Sequence, residues 1–182
     1  YNLEALSLHE AIPGHHLQNA IAMELNVPEF RRTLSHSAFG EGWALYTERL
    51  GKEAGFYQSP YSDFGRLGYE MWRAVRLVVD TGIHAFGWSR QKAIDYLASH
   101  TALPQSAVED QIDRYISWPG QALSYKMGEI KIRELRAKAE KELGAQFDIR
   151  SFHDTVIGQG SVPMAVLEDV INDWIEKQKS AI

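Results

Sequence analysis

Apolar residues recur at three- and four-residue steps along most of the chain, which is the spacing of one face of an α-helix. The alternating β-branched pattern of a strand is scarce. The pattern predicts helical segments over residues 3–25 (interrupted at Pro13), 40–54, 60–86, 89–100, 106–116, 120–143, 148–157 and 163–179. No internal repeat, low-complexity tract or long linker separates them. We therefore expect a single all-α, multi-helix domain over residues 1–182.

Capping residues predict where several of these helices begin. Ser59 is a candidate N-cap with Pro60 in the first helical position, and Ser89 is expected to cap the next segment. Ser106 is expected to cap the segment after that, with Glu109 completing a capping box.

Composition narrows the class of protein. With 182 residues, of which 45% are hydrophobic and 24% charged, the chain is large enough for one well-buried globular domain. Its net charge of −5 provides no basic surface, so nucleic acid is not an expected partner. Because the chain has no cysteine, a disulfide framework, thiolate ligands and a cysteine nucleophile are excluded.

The chain carries no targeting signal that we can identify. No apolar run reaches the ~18 residues of a membrane span, and no signal peptide opens the chain. The first residue is Tyr1 and not Met. We expect the carboxyl-terminal fragment of a longer helical protein, and the sequence does not choose between cytoplasm and periplasm.

Candidate metal ligands are concentrated near the start of the chain. Three of the seven histidines fall within the segment HEAIPGHH, residues 9–16. Catalytic zinc takes three protein ligands and leaves a fourth position for water. A glutamate beside a ligand then serves as general base toward that water. The segment therefore predicts a metal site with His9 as a ligand and Glu10 as the base.

The second histidine ligand does not follow the usual four-residue step, because Pro13 occupies that position. In a regular helix His15 falls roughly 600° around the axis from His9, off its face. His16 lies on the same face but about 10 Å along the axis. Pro13 has no N–H for the carbonyl of His9 and opens the helix, so a bulge can bring His15 beside His9. His15 is the preferred second ligand and His16 the alternative.

The third ligand is predicted from the segment FGEGWALYTE. Glu41 and Glu48 lie seven residues apart on one helical face. A catalytic zinc with two histidines is often completed by Glu, and a second carboxylate can orient a ligand from behind it. The apolar neighbours Trp43 and Leu45 indicate a segment with little free surface. These residues alone leave both glutamates as candidates.

Four further positions are weaker candidates. Asp80 and His84 are four residues apart and share one side of their helix. A carboxylate that fixes a histidine tautomer makes that histidine a better oxyanion donor or proton shuttle, although a surface pair has the same spacing. Arg114 could clamp a substrate carboxylate, but a structural role is the stronger expectation, and His153 is weaker still.

Five motifs together resemble the carboxyl-terminal third of the bacterial proteins grouped as domain of unknown function 885. They are HEAIPGHHLQ, FGEGWALYTERLG, RLVVDTGIHAFGWS, RYISWPGQALSYKMG and IRSFHDTVIGQGSVP, and they span essentially the whole chain. That family in turn resembles helical gluzincin peptidases, especially the Taq-type thermostable carboxypeptidases. The resemblance implies a zincin-like fold and zinc-dependent hydrolysis of peptide bonds.

The resemblance also implies roles for individual residues. The peptidase motif HExGH is similar to HEAIPGH here, with two extra residues before Gly14. The motif ESQSLLWE is similar to the segment that starts at Glu41, which implies Glu41 and not Glu48 as the third ligand. The motif PTYxLG is similar to LSYKMG, which implies that Tyr125 donates a hydrogen bond to the developing oxyanion. An amino-terminal helical region forms the other wall of the cleft in such peptidases, so that missing part is an expected partner.

The expected reaction is peptide hydrolysis by a carboxypeptidase or an oligopeptidase. Zinc lowers the pKa of a bound water, and Glu10 takes the proton as the water attacks a peptide carbonyl. Glu10 then passes the proton to the leaving amine. Tyr125, with His84, is expected to stabilise the oxyanion.

We expect one zinc ion per chain, held by His9, His15 and Glu41. Two imidazoles and a carboxylate also accept cobalt or manganese. Two alternatives remain open: a metal-dependent esterase or amidase that uses the same site, and a non-catalytic helical module, with or without a stabilising metal.

Overall fold

The computed structural model describes residues 1–180 and folds them into ten α-helices. They are α1 Leu3–Glu10, α2 His15–Glu24, α3 Glu29–Thr33, α4 Ser37–Glu53, α5 Pro60–Phe86, α6 Arg90–His100, α7 Gln105–Ser117, α8 Ser124–Leu143, α9 Ile149–Ile157 and α10 Met164–Ser180. Two 3₁₀ turns flank α8, at Gln121–Leu123 and Gly144–Gln146. No strand occurs within residues 1–180, which confirms the all-α prediction.

The predicted helix starts are largely correct. The side chains of Ser59 and Ser89 each accept a hydrogen bond from the backbone N–H of the third residue of the helix that follows. The cap predicted at Ser106 is wrong, because α7 already begins at Gln105, directly after Pro104. The Pro104 ring restricts φ, and this residue takes the extended N-cap conformation in place of the serine.

The segment over residues 3–25 is two helices and not one bulged helix. Helix α1 ends at Glu10, and α2 begins at His15 after a tight turn that includes the cis Ile12–Pro13 bond. A Cβ atom at Gly14 would overlap the carbonyl oxygens of Leu8 and His9. A glycine therefore lets the chain fold back against the end of α1.

Two apolar cores hold the helices together. One is formed by α4 and α8–α10, and its members include Phe39, Trp43, Ile132, Leu135, Phe152, Leu167 and Ile171. The other is formed by α5–α7, and its members include Val75, Val79, Ala93, Leu97, Val108 and Ile112. Helix α1 packs against both α4 and α5. The end of α1 is thereby held where the two cores meet.

The crossing of α4 and α8 depends on two glycines. A Cβ atom at Gly42 would lie 2.5 Å from the Cα atom of Gly128. The two backbones therefore approach more closely than larger residues allow. Glu41 precedes the crossing on α4, and Tyr125 lies one helical turn before it on α8.

The outer face of α5 is apolar and exposed. It consists of Phe64, Leu67, Met71 and Val78, which are 56%, 50%, 49% and 40% exposed. Their three-, four- and seven-residue steps place them on one face of the helix, which we call the α5 outer face.

Among residues 1–180, no helix combines the length and apolar composition needed to cross a membrane.

Candidate functional site

His9 is fixed in position by a buried carboxylate. It lies in the last turn of α1 and is only 3% exposed. Its Nδ1 atom is 2.7 Å from Oε1 of Glu48, which is itself 1% exposed. The guanidinium of Arg73 lies 3.2 Å from the same Glu48 oxygen. Because Glu48 pairs with Arg73 and accepts from Nδ1–H, the lone pair of His9 is on Nε2.

Three potential ligand atoms converge on the far side of this imidazole. The His9 Nε2 atom lies 3.6 Å from Oε2 of Glu41, and the His15 Nε2 atom lies 3.3 Å from the same oxygen. One ligand atom of each residue lies within 4.8 Å of the others. Atoms bound at about 2.1 Å around a tetrahedral zinc are about 3.4 Å apart. The spacing therefore fits a single metal ion, and we call these three residues the metal centre.

The electrostatics of the metal centre favour a positive charge at its middle. Burial raises the pKa of Glu41, but its interactions with His15 and His9 outweigh that effect and lower the pKa to about 2. Burial likewise lowers the pKa of His9, and Glu41 and Glu48 more than compensate, so the net shift is upward. Within residues 1–180 the buried Oε2 atom of Glu41 nevertheless accepts no hydrogen bond, although Nε2 of His15 lies 3.3 Å away. Two imidazoles and an unpaired carboxylate oxygen are a donor set that suits zinc.

The alternative ligands lie elsewhere. His16 is exposed on α2 and is not part of the metal centre. Glu48 contacts His9 through Nδ1, so it orients that ring and does not share the space between the three ligand atoms. The structure thus brings together the preferred set of His9, His15 and Glu41.

An open cleft of about 580 Å³ adjoins the metal centre. Its size suits a small ligand or a few residues of a peptide. Glu10 is exposed at the end of α1 and lines this cleft together with His15 and Glu41. The rest of the lining combines polar and apolar side chains, including Gln18, Arg32, Leu34, Phe39, Trp118 and Gln121.

Tyr125 lies beside the metal centre with a defined orientation. Its ring stacks on that of His9, with centroids 6.3 Å apart, and the guanidinium carbon of Arg76 lies 4.2 Å from the centroid of the Tyr125 ring. The Gln121 amide donates to the Tyr125 hydroxyl oxygen at 3.3 Å. Arg114 donates to the Gln121 carbonyl oxygen at 3.2 Å and so fixes which way the amide faces. Since the hydroxyl accepts from Gln121, its own proton is free to be donated elsewhere.

Asp80 and His84 are not brought to the metal centre. The Asp80 carboxylate accepts from the backbone N–H of Gly120 at 3.1 Å. The exposed His84 has its Nε2 atom 2.9 Å from the carbonyl oxygen of Tyr115. These bonds attach the connection between α7 and α8 to α5. The structure therefore gives His84 a partner other than the oxyanion that we expected.

Several residues of the site escaped the sequence reasoning. Arg73 holds Glu48, Gln121 orients Tyr125, and Gln18 is buried in the cleft wall. A signal for Arg73 does exist, because Arg66, Arg73 and Arg76 recur on the buried face of an amphipathic helix. Charged residues at core positions are rare unless they are paired. Gln18 and Gln121 carry no comparable signal.

Comparison with known proteins identifies relatives. A family model described as "Bacterial protein of unknown function (DUF885)" matches residues 1–171. The chain is similar to a solved structure described as a "putative lipoprotein" from Colwellia psychrerythraea, at 47% identity and a TM-score of 0.95, over 97% of this chain and 30% of that one. It is also similar to a "putative lipoprotein of unknown function" from Shewanella oneidensis, at 26% identity and a TM-score of 0.87, over 93% of this chain and 31% of that one. The chain thus spans less than a third of these solved chains. No curated protein matches it.

Proposed function

Because the chain belongs to the DUF885 family of bacterial proteins, whose description names no reaction, we propose a function from the site itself: metal-dependent hydrolysis of peptide bonds. One observation carries the proposal. Nε2 of His9, Nε2 of His15 and the buried Oε2 of Glu41 converge at metal-ligand spacing beside an open cleft. Glu10 lines the same cleft and provides a carboxylate for proton transfer.

The metal would be zinc, held by His9, His15 and Glu41. When bound, it supplies a water of lowered pKa and polarises the carbonyl of the substrate. Glu48 has a supporting role, because its bond to Nδ1 of His9 holds the ring in the tautomer that leaves Nε2 free. Arg73 holds this buried carboxylate in place, with its guanidinium 3.2 Å from Oε1 of Glu48.

Glu10 acts as the general base and then as the general acid. It follows His9 directly, and its side chain is exposed to the cleft. A carboxylate there accepts a proton from the attacking water and returns it to the leaving amine. Because Glu10 is the last residue of α1, the general base and the first ligand, His9, lie at the same end of this helix.

Tyr125 stabilises the negative charge that develops on the substrate oxygen. A neutral phenol donor acts mainly on the transition state, because that charge is absent from the bound substrate. Gln121 occupies a lone pair of the hydroxyl, and the stacked rings of His9 and Tyr125 hold the phenol beside the metal centre. An ester or a small amide could be cleaved with the same residues, so a substrate panel decides which bond is preferred.

Metal analysis tests the foundation of this proposal. We expect one zinc per chain in the wild type and in His16→Ala, and its loss in His15→Ala, when the proteins are purified without added metal. His16→Ala is the matched control, because it removes a neighbouring imidazole outside the metal centre. Failure of the wild type to retain or take up zinc would contradict the proposal.

We also propose a partner for the α5 outer face. The solved relatives carry more than twice as much additional chain as the part that matches here. Exposed apolar patches of this kind mark interaction surfaces. The occupant we propose is a helical segment from that additional part of the polypeptide.

A charged substitution on the α5 outer face tests whether the proposed helical segment packs there. Met71→Lys should leave the melting temperature of residues 1–182 nearly unchanged, because Met71 is 49% exposed there. The corresponding substitution in the longer Colwellia psychrerythraea protein should lower it by several degrees, since it buries a charge. Equal, small effects in both proteins would contradict the proposed contact.

A further inference from the structure

Gln18 is the least explained polar residue of the cleft. It lies on α2, three residues after the ligand His15, and therefore on the same face of that helix. It is only 4% exposed, yet it contributes to the lining of the cleft. Neither the metal centre nor the Tyr125 arrangement uses it.

The amide nitrogen of Gln18 is a donor without an acceptor. Its Nε2 atom is buried and has no hydrogen-bond partner among residues 1–180. The oxygen side of the amide faces α4, since a Cβ atom at Gly40 would lie 3.8 Å from Oε1 of Gln18. Gly40 precedes the ligand Glu41, so the amide lies beside the turn of α4 that carries this ligand. Buried side-chain donors are normally paired, which indicates that a ligand supplies the acceptor.

Arg32 supplies the cationic side chain of the same cleft lining. It is exposed, and it makes no ion pair in the part of the chain that the structure describes, residues 1–180. Its neighbour Arg31 is engaged differently and donates to the carbonyl oxygen of Gln159 at 2.9 Å. A free guanidinium binds a carboxylate through two parallel hydrogen bonds. A negatively charged group of a ligand is therefore its natural partner.

Apolar side chains complete this part of the cleft. Leu34, Phe39 and Trp118 line it together with Gln18 and Arg32. Leu34 and Trp118 are 47% and 57% exposed, so they offer apolar surface for a ligand to cover. An apolar side chain next to a carboxylate and a carbonyl group is the chemistry of a carboxyl-terminal residue of a peptide.

We propose that Gln18 and Arg32 form a subsite that recognises peptides by their free carboxyl terminus. Arg32 pairs with the terminal carboxylate, and Nε2 of Gln18 donates to a backbone carbonyl oxygen of the same peptide. The inference rests on the proposed peptide hydrolysis and specifies its substrate class, since it makes the reaction removal of residues from the carboxyl end. The terminal residue preferred by Leu34 and Trp118 is apolar.

Binding of an uncleavable ligand pair tests the subsite separately from catalysis. The probes are a ketomethylene isostere of benzoyl-Phe-Leu with a free carboxylate and the same compound with a terminal carboxamide. Affinities are measured by isothermal titration calorimetry on the zinc-treated and the chelator-treated protein. The wild type should bind the free acid about tenfold more tightly than the amide.

Variants assign the two contacts. Arg32→Gln should abolish the preference for the acid, while Arg32→Lys retains part of it. Arg150→Gln removes an equal charge at an exposed position on α9 and should leave both affinities unchanged. Gln18→Met removes the donor at similar size and should weaken both probes about fivefold. Gln18→Glu, which replaces the donor by a negative charge, should weaken the acid more than the amide.

The outcomes separate this inference from the proposed function. Equal affinity for acid and amide in the wild type, or full affinity in both Gln18 variants, would overturn the subsite even if the protein hydrolyses peptides with zinc. If the chelator-treated protein shows the predicted affinities but the zinc-treated protein hydrolyses no peptide, the subsite is supported and the proposed reaction is contradicted. Lack of binding to either probe by a zinc-loaded protein that cleaves internal peptide bonds would also overturn it.

Discussion

Helix α4 carries two histidine-containing polar clusters on opposite faces, and the contrast between them separates a structural network from a candidate site. On one face, Glu41 and Glu48 meet the imidazoles of α1 and α2. On the other, the Tyr46 hydroxyl lies 2.7 Å from Nε2 of His153 and accepts from Arg136 at 3.0 Å. Both clusters are built from histidine, carboxylate and arginine groups.

The clusters differ in whether they are complete. The Tyr46 hydroxyl is hydrogen-bonded to His153 and accepts from Arg136, which also pairs with Glu53 at 2.7 Å. In the metal centre, by contrast, the buried Oε2 of Glu41 accepts no hydrogen bond within residues 1–180, although Nε2 of His15 lies 3.3 Å away. An unsatisfied buried polar atom costs about 1–3 kcal/mol. Of the two, the cluster with a buried oxygen that accepts no hydrogen bond is therefore the stronger candidate for function.

The two histidines also differ in the charge that their surroundings favour. Burial, together with Arg136, lowers the pKa of His153 to about 4, so this ring is neutral in the folded protein at pH 7. The pKa of His9 is raised, because Glu41 and Glu48 outweigh the effect of its burial. One environment excludes a cation, and the other attracts one.

Substitution of the general base should have the largest effect on turnover. Glu10→Gln is expected to lower peptide hydrolysis about 10²–10⁴-fold, with zinc content unchanged, because Glu10 is not a ligand. Turnover and metal content of the same preparation provide the measurement. Tyr46→Phe, in the opposite cluster, should leave turnover near the wild-type value. A Glu10→Gln variant with wild-type turnover would remove Glu10 from the mechanism.

Loss of the phenol donor should have the next largest effect. Tyr125→Phe keeps the ring stacked on His9 and removes the hydroxyl, so kcat should fall about 10²-fold with little change in KM. Steady-state kinetics on a peptide substrate measures both parameters. A rise in KM at constant kcat would instead assign Tyr125 to substrate binding.

Weakening the support of His9 should reduce metal affinity. Glu48→Gln retains a hydrogen-bond acceptor for Nδ1 but loses the charge, and zinc affinity should fall about 10–100-fold. Competition with a chromophoric chelator measures it. Glu53→Gln makes the same change beside Arg136 and serves as the control. Equal zinc affinities in the two variants would show that Glu48 does not tune the site.

The smallest effect concerns stability, and it belongs to the cluster of Tyr46, His153 and Arg136. His153 has a pKa of about 4 when folded and about 6.5 when unfolded. The unfolded chain therefore binds more protons between these values, and stability should fall as the pH drops from 6.5 to 4. Melting curves of His153→Gln should show a smaller decline over this range. An equal decline in both proteins would assign the pH dependence to other groups.

Much of the fold followed from local sequence. Helix α5 runs from Pro60 to Phe86 as predicted, because its start signal and its apolar period lie within the helix itself. Short helix α3 was missed, since five residues are too few to show a period. The turn between α1 and α2 was predicted as a distortion at Pro13, but its form depends on contacts of Gly14 with carbonyls of the preceding helix.

The candidate site was predictable to the extent that its residues are adjacent in sequence. His9, Glu10 and His15 could be chosen from one short segment, because metal ligands are limited to a few residue types. The role of His84 could not, since i,i+4 spacing says nothing about which partner each side chain reaches. His84 in fact faces the carbonyl of Tyr115, which comes from a different helix.

The sequence by itself thus determined the helical class, most helix ends and the chemical inventory of the site, because each depends on interactions within a few turns. Only the tertiary structure decided that Glu41 faces both imidazoles while Glu48 lies behind His9 with Arg73. It also left Gln18 unpaired in the wall of the cleft. The physical reason is that these distances join α1, α2, α4 and α5, and they are set by how the helices pack against one another.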